Sequence, residues 1–243
     1  MTELAAALRP AINYGSRYKL GIMLPAGNTV AEPQLTAMLP HGVSLHTTRL
    51  RLLNADKLAM LDRLEEAVAL LADAHVDRIA FHCTAVSMWS PEMSAQITER
   101  IAACTAIPSV VTSDAIVAAL RTLGASKIVL VSPYVQSTND REVALLAHNG
   151  ITVLREKGLA TEATMGTIEP ARWREEVLAM RDPAAEAYFV SCTAIKSADV
   201  IDELERELGR PVITSNQGML WHALRSAGIT DSVAGYGALL RER

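Results

Sequence analysis

The chain has 243 residues, enough for one large domain or two small ones. Half of the residues are hydrophobic and 21% are charged, which is typical of a globular protein and excludes an extensively disordered one. The 23 basic and 27 acidic residues are dispersed, so the sequence indicates no nucleic-acid partner. It also shows no membrane-spanning apolar stretch and no secretory signal, and we therefore expect a cytoplasmic protein without a membrane partner.

Short aliphatic runs alternate with longer amphipathic segments along the whole chain. Runs of this kind are typical of strands that are buried on both faces of a parallel sheet. The predicted strands cover, in chain order, residues 20–24, 43–50, 78–82, 109–112, 127–131, 151–154, 187–191 and 211–214. Regular alternation of strand and helix predicts an α/β protein with mostly parallel sheets.

The two halves of the chain repeat each other. KLGIMLPAGNT (19–29) matches KIVLVSPYVQS (127–137) in pattern, and His-Cys-Thr-Ala-Val (82–86) recurs as Ser-Cys-Thr-Ala-Ile (191–195). A repeat of only two units predicts two similar α/β lobes related by pseudo-twofold symmetry, because a solenoid needs at least three units. We expect residues 1–114 and the returning segment 218–243 to form the first lobe, and residues 115–217 to form the second.

Each repeated cysteine ends a predicted strand and precedes a helical segment. Carboxyl ends of parallel strands face the ligand crevice, so Cys83 and Cys192 should point into one cleft. The backbone N–H groups of Thr84-Ala85 and Thr193-Ala194 would bind a carboxylate or oxyanion there and would lower the pKa of a thiol. One cysteine could then attack the substrate while the other transfers a proton, or both could act as acid and base.

The third cysteine serves as an internal comparison. Cys104 continues the apolar stripe of Met93, Ile97 and Ile101 at helical spacing, which predicts a place in the core. On this basis we expect iodoacetamide to modify Cys83 or Cys192 faster than Cys104 near neutral pH. An odd number of cysteines also argues against a disulfide framework.

Two further polar side chains follow the first strand of each half. Asn28 lies in Pro-Ala-Gly-Asn-Thr, where its amide could donate to a carboxylate, although a turn asparagine would fit the same pattern. Tyr134 occupies the matching loop of the second half, and its hydroxyl could bind an acid group. A small carboxylate is therefore the expected substrate.

The sequence contains no recognisable metal or nucleotide motif. His82 and Cys83 leave opposite faces of a strand and have no partner at a ligand spacing, so we interpret His82 as a core or supporting residue and expect no metal. There is no G-x-G-x-x-G, no G-x4-G-K-[ST] and no G-x-S-x-G. We expect no cofactor.

The ordered motifs PAGNTVAEP, HCTAVSM, SPY, SCTAI and PVITSNQGMLWHALRSAG resemble the aspartate/glutamate racemase superfamily, in particular its maleate cis–trans isomerases and arylmalonate decarboxylases. The resemblance spans about residues 18–240. It implies two Rossmann-like lobes with a cofactor-free site between them. It also implies that Cys83 adds to the double bond of a cis-enedioate and that Cys192 gives and retrieves a proton. Asn28, Tyr134 and the amides after each cysteine would hold the carboxylates.

The chain departs from that family in three places. Cys-Thr-Ala at residues 83–85 differs from the Cys-Asn-Thr of amino-acid racemases, and Cys83 stands where arylmalonate decarboxylases have glycine. In the stretch 159–166, where maleate isomerases place an asparagine, this chain has Glu162. A carboxylate there would repel a second substrate carboxylate and favours a substrate with an amide, ring or cationic group.

The leading hypothesis is therefore a cofactor-independent isomerase of a small carboxylic acid that uses a cysteine pair. A two-thiol racemase and an arylmalonate-type decarboxylase are alternatives within enzymes. A carboxylate-binding protein without turnover is the alternative from another class. The sequence leaves a homo-oligomer open.

Overall fold

The computed structural model describes residues 12–51 and 57–243. All eight predicted strands are present with bounds within two residues, except that the sixth strand extends four residues further. They are β1 (Tyr18–Pro25), β2 (Val43–Leu50), β3 (Arg78–Phe81), β4 (Ser109–Val111), β5 (Lys127–Ser132), β6 (Thr152–Gly158), β7 (Ala187–Val190) and β8 (Val212–Thr214). Central strands such as β7 are buried along their whole length, which explains their continuous apolar composition.

The strands form two four-stranded parallel sheets with equivalent topology. The first has the order β2-β1-β3-β4 and the second β6-β5-β7-β8. All strand pairs are parallel, and the only irregularity in register lies between Ile128 and Val129 in the part of the sheets that the structure describes. The same strand order in both halves confirms the two-lobed α/β architecture that the sequence repeat predicts.

Helices connect the strands and cover the sheets. They are α1 (Ala31–Met38), α2 (Leu64–Asp73), α3 (Thr84–Ser87), α4 (Met93–Cys104), α5 (Thr112–Thr122), α6 (Gln136–His148), α7 (Pro170–Ala179), α8 (Ile201–Leu208), α9 (Ser215–Arg225) and α10 (Gly237–Glu242), with 3-10 turns at Leu58–Arg63, Met165–Thr167 and Ala198–Val200. No helix in the described ranges is both long and apolar enough to cross a bilayer.

One hydrophobic cluster is shared by both lobes. It contains Leu20 and Ile22 of the first sheet and Ile128 and Leu130 of the second, together with apolar residues of α5 and α9. Helices α5 and α9 pack against each other between the sheets. The segment after residue 218 contacts both lobes, because α9 packs on α1 and α5 while α10 packs on α8 and β8. The lobe boundaries given above remain a prediction.

The strand order fixes where a ligand crevice forms. In the first sheet the chain runs outward from the central strand β1 to β2 on one side and from the central strand β3 to β4 on the other. The second sheet does the same, from β5 to β6 and from β7 to β8. Loops at such a switch point diverge and leave a crevice at the carboxyl ends of the strands. The segments that follow β1, β3, β5 and β7 therefore line the site.

Candidate active site

A cavity of about 330 Å³ lies at this switch point, a volume within the range of small-molecule sites. It includes every residue predicted to act in the site. These are Asn28, Cys83, Thr84, Ala85, Tyr134, Cys192, Thr193 and Ala194. Pro25, Gly27, Lys57, Val86, Glu162 and Met165 complete the lining. The structure thus brings the predicted residues together, and their individual roles stay predictions.

Cys83 stands at the junction of β3 and the short helix α3. Its backbone is extended, and it occupies the position before the first helical residue. The backbone N–H groups of Val86 and Ala85 lie near its sulfur and act to lower its pKa. Burial nevertheless raises the pKa of the Cys83 thiol to about 11, and these donors and the nearby Lys57 ammonium only partly oppose that rise.

Cys192 occupies the equivalent junction after β7 in a less common backbone conformation. Its φ of 117° lies in a region that residues with a side chain rarely adopt, and such strain is concentrated at functional sites. The Ala194 N–H donates to its sulfur at 3.3 Å, and its own N–H donates to Ser215 Oγ at 3.0 Å. Burial raises the pKa of the thiol to about 12, although a hydrogen bond with the Tyr134 hydroxyl opposes the shift.

The loose N–H donors therefore do not produce the lowered thiol pKa expected from the sequence. Cys83 and Cys192 are only 9% and 3% exposed, so removal of the thiolate from water outweighs the donors. The raised pKa values favour the neutral thiol at pH 7 for both groups.

The predicted core position of Cys104 is wrong. The residue is exposed at the last position of α4, where its thiol donates to the Arg100 carbonyl at 3.3 Å. Met93, Ile97 and Ile101 do face the core, but the helix ends before the stripe is covered again at Cys104. We therefore expect iodoacetamide to modify Cys104 before Cys83 and Cys192, the reverse of the order predicted from the sequence.

Asn28 is held in place by both lobes. Its Oδ1 accepts hydrogen bonds from the N–H groups of Val30 and Ala31, each at 3.0 Å, and its Nδ2 donates to Thr193 Oγ1 at 3.0 Å. Arg49 donates to the Asn28 carbonyl at 2.7 Å. The turn role weighed from the sequence is therefore present. The amide retains a second N–H beside the cavity, and its role in holding a ligand stays a prediction.

The two cysteine motifs are joined by the first turn of α9, a connection that the sequence analysis missed. Ser215 Oγ accepts from both the Cys192 N–H and the Thr84 hydroxyl, the latter at 2.8 Å. Asn216 contacts the His82 ring at 2.8 Å and donates to the Thr193 carbonyl at 3.2 Å. The available signal was the repeat of Thr-Ser-Asp at 112–114 as Thr-Ser-Asn at 214–216.

His82 supports the site, as interpreted from the sequence. It is fully buried and hydrogen-bonded to Thr112 Oγ1 at 2.9 Å and to Asn216. Burial lowers the pKa of His82 to about 4, so the ring is neutral at physiological pH. Residues 12–51 and 57–243 contain no group of His, Cys, Asp or Glu side chains placed to hold a metal ion.

A buried acid lies behind the cavity. Glu142 of α6 is fully buried, and its Oε1 accepts from Ser191 Oγ at 2.7 Å. Its Oε2 has no hydrogen-bond partner among the described residues. Burial raises the pKa of Glu142 to about 8, which keeps the carboxyl largely protonated at neutral pH. Nothing in the sequence pattern of α6 distinguished this glutamate from a surface residue.

Lys57 and Glu162 form an ion pair at 2.9 Å in the cavity wall. Glu162 was noted in the sequence, but Lys57 was not, because no motif surrounds it. Lys57 also donates to Thr138 Oγ1 at 3.2 Å and lies 5.7 Å from the centre of the Tyr134 ring. The carboxylate that would repel an anionic substrate is thus paired with a cation.

Comparisons with known proteins agree with the fold and with the family resemblance of the sequence. The chain is 26% identical to the maleate isomerase of Geobacillus stearothermophilus over 243 residues, which cover 92% of this chain and 97% of the relative. It is 29% identical to the arylmalonate decarboxylase of Bordetella bronchiseptica over 154 residues, 61% of this chain and 64% of that one.

A solved structure shows the same fold over nearly the whole chain. It is a mutant of the Nocardia farcinica maleate cis-trans isomerase with a covalently bound succinylcysteine intermediate, which superimposes with a TM-score of 0.86 at 24% identity and covers 93% of this chain and 99% of that one. The family model described as arylmalonate decarboxylase matches residues 20–240. Because this match covers nearly the whole chain, the chain belongs to the arylmalonate decarboxylase family.

Proposed function

We propose that the protein is a cofactor-independent cis–trans isomerase of a small unsaturated acid of the maleate type, with Cys83 as nucleophile and Cys192 as proton donor and acceptor. The observation that carries this proposal is the convergence of two thiols, one from each lobe, on a single small cavity. The maleate isomerase relatives support it, since they match almost the whole chain and almost their own full length.

The chemistry needs both cysteines in different protonation states. The reactive form is the minor one in which Cys83 has released its proton to solvent, with the Lys57 ammonium nearby to favour its thiolate. This thiolate forms a C–S bond to one olefinic carbon, and the π electron pair moves to the neighbouring carbon, which takes the proton of Cys192. Rotation about the resulting single bond interconverts the two geometries. The Cys192 thiolate then removes a proton from that carbon, the double bond re-forms, and the Cys83 thiolate leaves.

The surrounding groups suit these steps. The Tyr134 hydroxyl that bonds to Cys192 stabilises the thiolate formed when Cys192 gives up its proton. Burial raises the pKa of Tyr134 well above its usual value, so this hydroxyl keeps its proton. Asn28, with its second amide N–H beside the cavity, can donate to a substrate carboxylate. The succinylcysteine in the Nocardia farcinica relative supports the covalent route.

The test is to follow maleate by proton NMR with the parent protein and with Cys83→Ser, Cys192→Ser and Cys104→Ser. We expect conversion to the trans acid by the parent and Cys104→Ser. The other two substitutions should lower the rate by about 100-fold to 10,000-fold, the usual contribution of a positioned acid or base. With Cys192→Ser, intact mass spectrometry should detect one added maleic acid on Cys83.

Other outcomes would identify the alternatives. Release of carbon dioxide from an arylmalonate, without isomerisation of maleate, would assign a decarboxylase. Solvent deuterium at the stereocentre of another acid would assign a racemase. Binding of a carboxylate to the parent and to both serine variants, with no reaction, would favour a carboxylate-binding protein.

A further inference from the structure

The charges around the cavity restrict which acid can occupy it. Among the described residues of the lining, Lys57 is the only cation and Glu162 the only acidic side chain. They neutralise each other across 2.9 Å. A substrate with two carboxylates would therefore place two negative charges in a small, mostly apolar cavity without an unpaired cation, beside a reacting thiolate.

The pair is fixed from several sides rather than free on the surface. Lys57 precedes the first 3-10 turn in the first lobe, whereas its partners Glu162, Thr138 and the Tyr134 ring all belong to the second. Both side chains are about 30% exposed, at 30% and 29%. An ammonium held by three contacts cannot turn away easily to follow a carboxylate.

The same pair presents a donor next to an acceptor. Lys57 has three N–H groups, of which two are committed to Glu162 Oε1 and Thr138 Oγ1. Among the described residues, the Lys57 ammonium contacts Glu162 through Oε1, and Oε2 accepts no hydrogen bond. A primary carboxamide is complementary to this arrangement, because its oxygen accepts from Lys57 while its N–H donates to Glu162. A carboxylate offers acceptors only and would face the Glu162 carboxylate.

We propose that the Lys57–Glu162 pair makes the cavity selective for the mono-amide of a cis-enedioic acid over the diacid. The carboxamide lies at Lys57 and Glu162, and the single carboxylate lies at Asn28 and the backbone amides of Thr84 and Thr193. This inference rests on the proposed isomerisation and assigns its substrate class. The mono-amide is isomerised by the same sequence of thiolate addition, rotation about the single bond and elimination of the thiolate.

The kinetic test compares maleamate with maleate as substrates. For the parent protein we expect kcat/KM to be at least tenfold higher for maleamate. Glu162→Gln removes the negative charge with little change in shape, so the preference should fall at least tenfold, mainly through a lower KM for maleate. Glu169→Gln is the matched control, since Glu169 pairs with Lys196 outside the cavity, and it should leave the preference unchanged.

Binding of unreactive analogues separates this inference from the isomerisation itself. Calorimetry with succinamate and succinate needs no turnover, and we expect succinamate to bind the parent at least tenfold more tightly, with the difference lost in Glu162→Gln. Equal binding of the two, or a preference for succinate or maleate in the parent, would overturn the inference. If neither maleate nor maleamate is isomerised but succinamate is preferred, the isomerisation fails and the selectivity of the pair stands.

Discussion

Cys83, Cys104 and Cys192 differ in their surroundings far more than in their local sequence. The first and last are enclosed by the cavity wall, and burial raises the pKa of their thiols to about 11 and about 12. Cys104 is exposed at the end of α4. Because the thiolate is the reactive form, exposure and burial together decide which cysteine reacts first.

We predict that iodoacetamide modifies Cys104 first at pH 7. Cys83 and Cys192 should react slowly and should become faster as the pH rises towards 10, since a larger fraction is then ionised. Peptide mass spectrometry over time measures the three rates, and a Cys104→Ser protein isolates the two slow ones. Rapid labelling of Cys192 at pH 7 would contradict the effect of burial on that thiol.

The buried acid Glu142 makes stability depend on pH. Its pKa is about 8 in the folded protein against 4.5 for an ordinary glutamate, so the folded state holds a proton that the unfolded state releases between these values. The free energy of unfolding therefore falls as the pH rises from about 4.5 to 8. Ser191, Lys57, Tyr134 and Cys192 surround this group, and none of them removes the desolvation that dominates the shift.

We predict that Glu142→Gln, which mimics the protonated acid, is as stable as the parent at pH 5 and more stable at pH 8. At pH 8 the free energy of unfolding of the variant should exceed that of the parent by about 2 kcal/mol, because the parent must either keep its proton or bury a charge. Urea unfolding at the two pH values measures it. His82 lowers the free energy of unfolding as the pH falls from 6.5 to about 4, but it does so equally in both proteins. Glu175→Gln on the exposed face of α7 is the control for the loss of a glutamate carboxylate.

At the scale of elements, α9 connects the lobes and orders the site. It begins with a capping box in which the Thr214 side chain accepts from the Gln217 N–H and the Gln217 side chain accepts from the Thr214 N–H. This N-terminal cap positions Ser215 and Asn216 to contact the segments around both cysteines. One turn later, Gly218 allows α9 to approach α5 and β8 closely, because a Cβ there would lie 2.7 Å from Ile116 Cδ1 and 3.4 Å from Ile213 Cγ2.

We predict that Gly218→Val destabilises the protein by about 1–3 kcal/mol through overpacking of this contact. For a chain of this size the melting temperature should fall by roughly 2–4 °C per kcal/mol. Gly218→Ala should cost less, since the higher helix propensity of alanine offsets part of the clash. Thermal unfolding checks both, with Ala95→Val on the exposed face of α4 as the control for a branched residue in a helix. A stable Gly218→Val protein would show that α9 can move away from Ile116.

At the scale of the molecule, duplication explains why the site contains two thiols. Equivalent central strands in the two sheets end in equivalent cysteine motifs, after β3 and β7. A cluster of apolar side chains from both sheets, α5 and α9 holds the lobes together. Because this cluster is shared, the relative position of the two cysteines depends on packing across the whole chain and not on either lobe alone.

The sequence by itself determined the strands, their parallel arrangement, the duplication and eight of the residues that line the cavity, because these features depend on hydrophobic periodicity and on repeated local motifs. Only the tertiary structure decided that the thiols have raised pKa values, that Cys104 is exposed and that Glu142 is buried, since desolvation depends on what packs around a side chain. It also decided the pairing of Lys57 with Glu162. These residues are far apart in the chain, and no local pattern encodes contact between them.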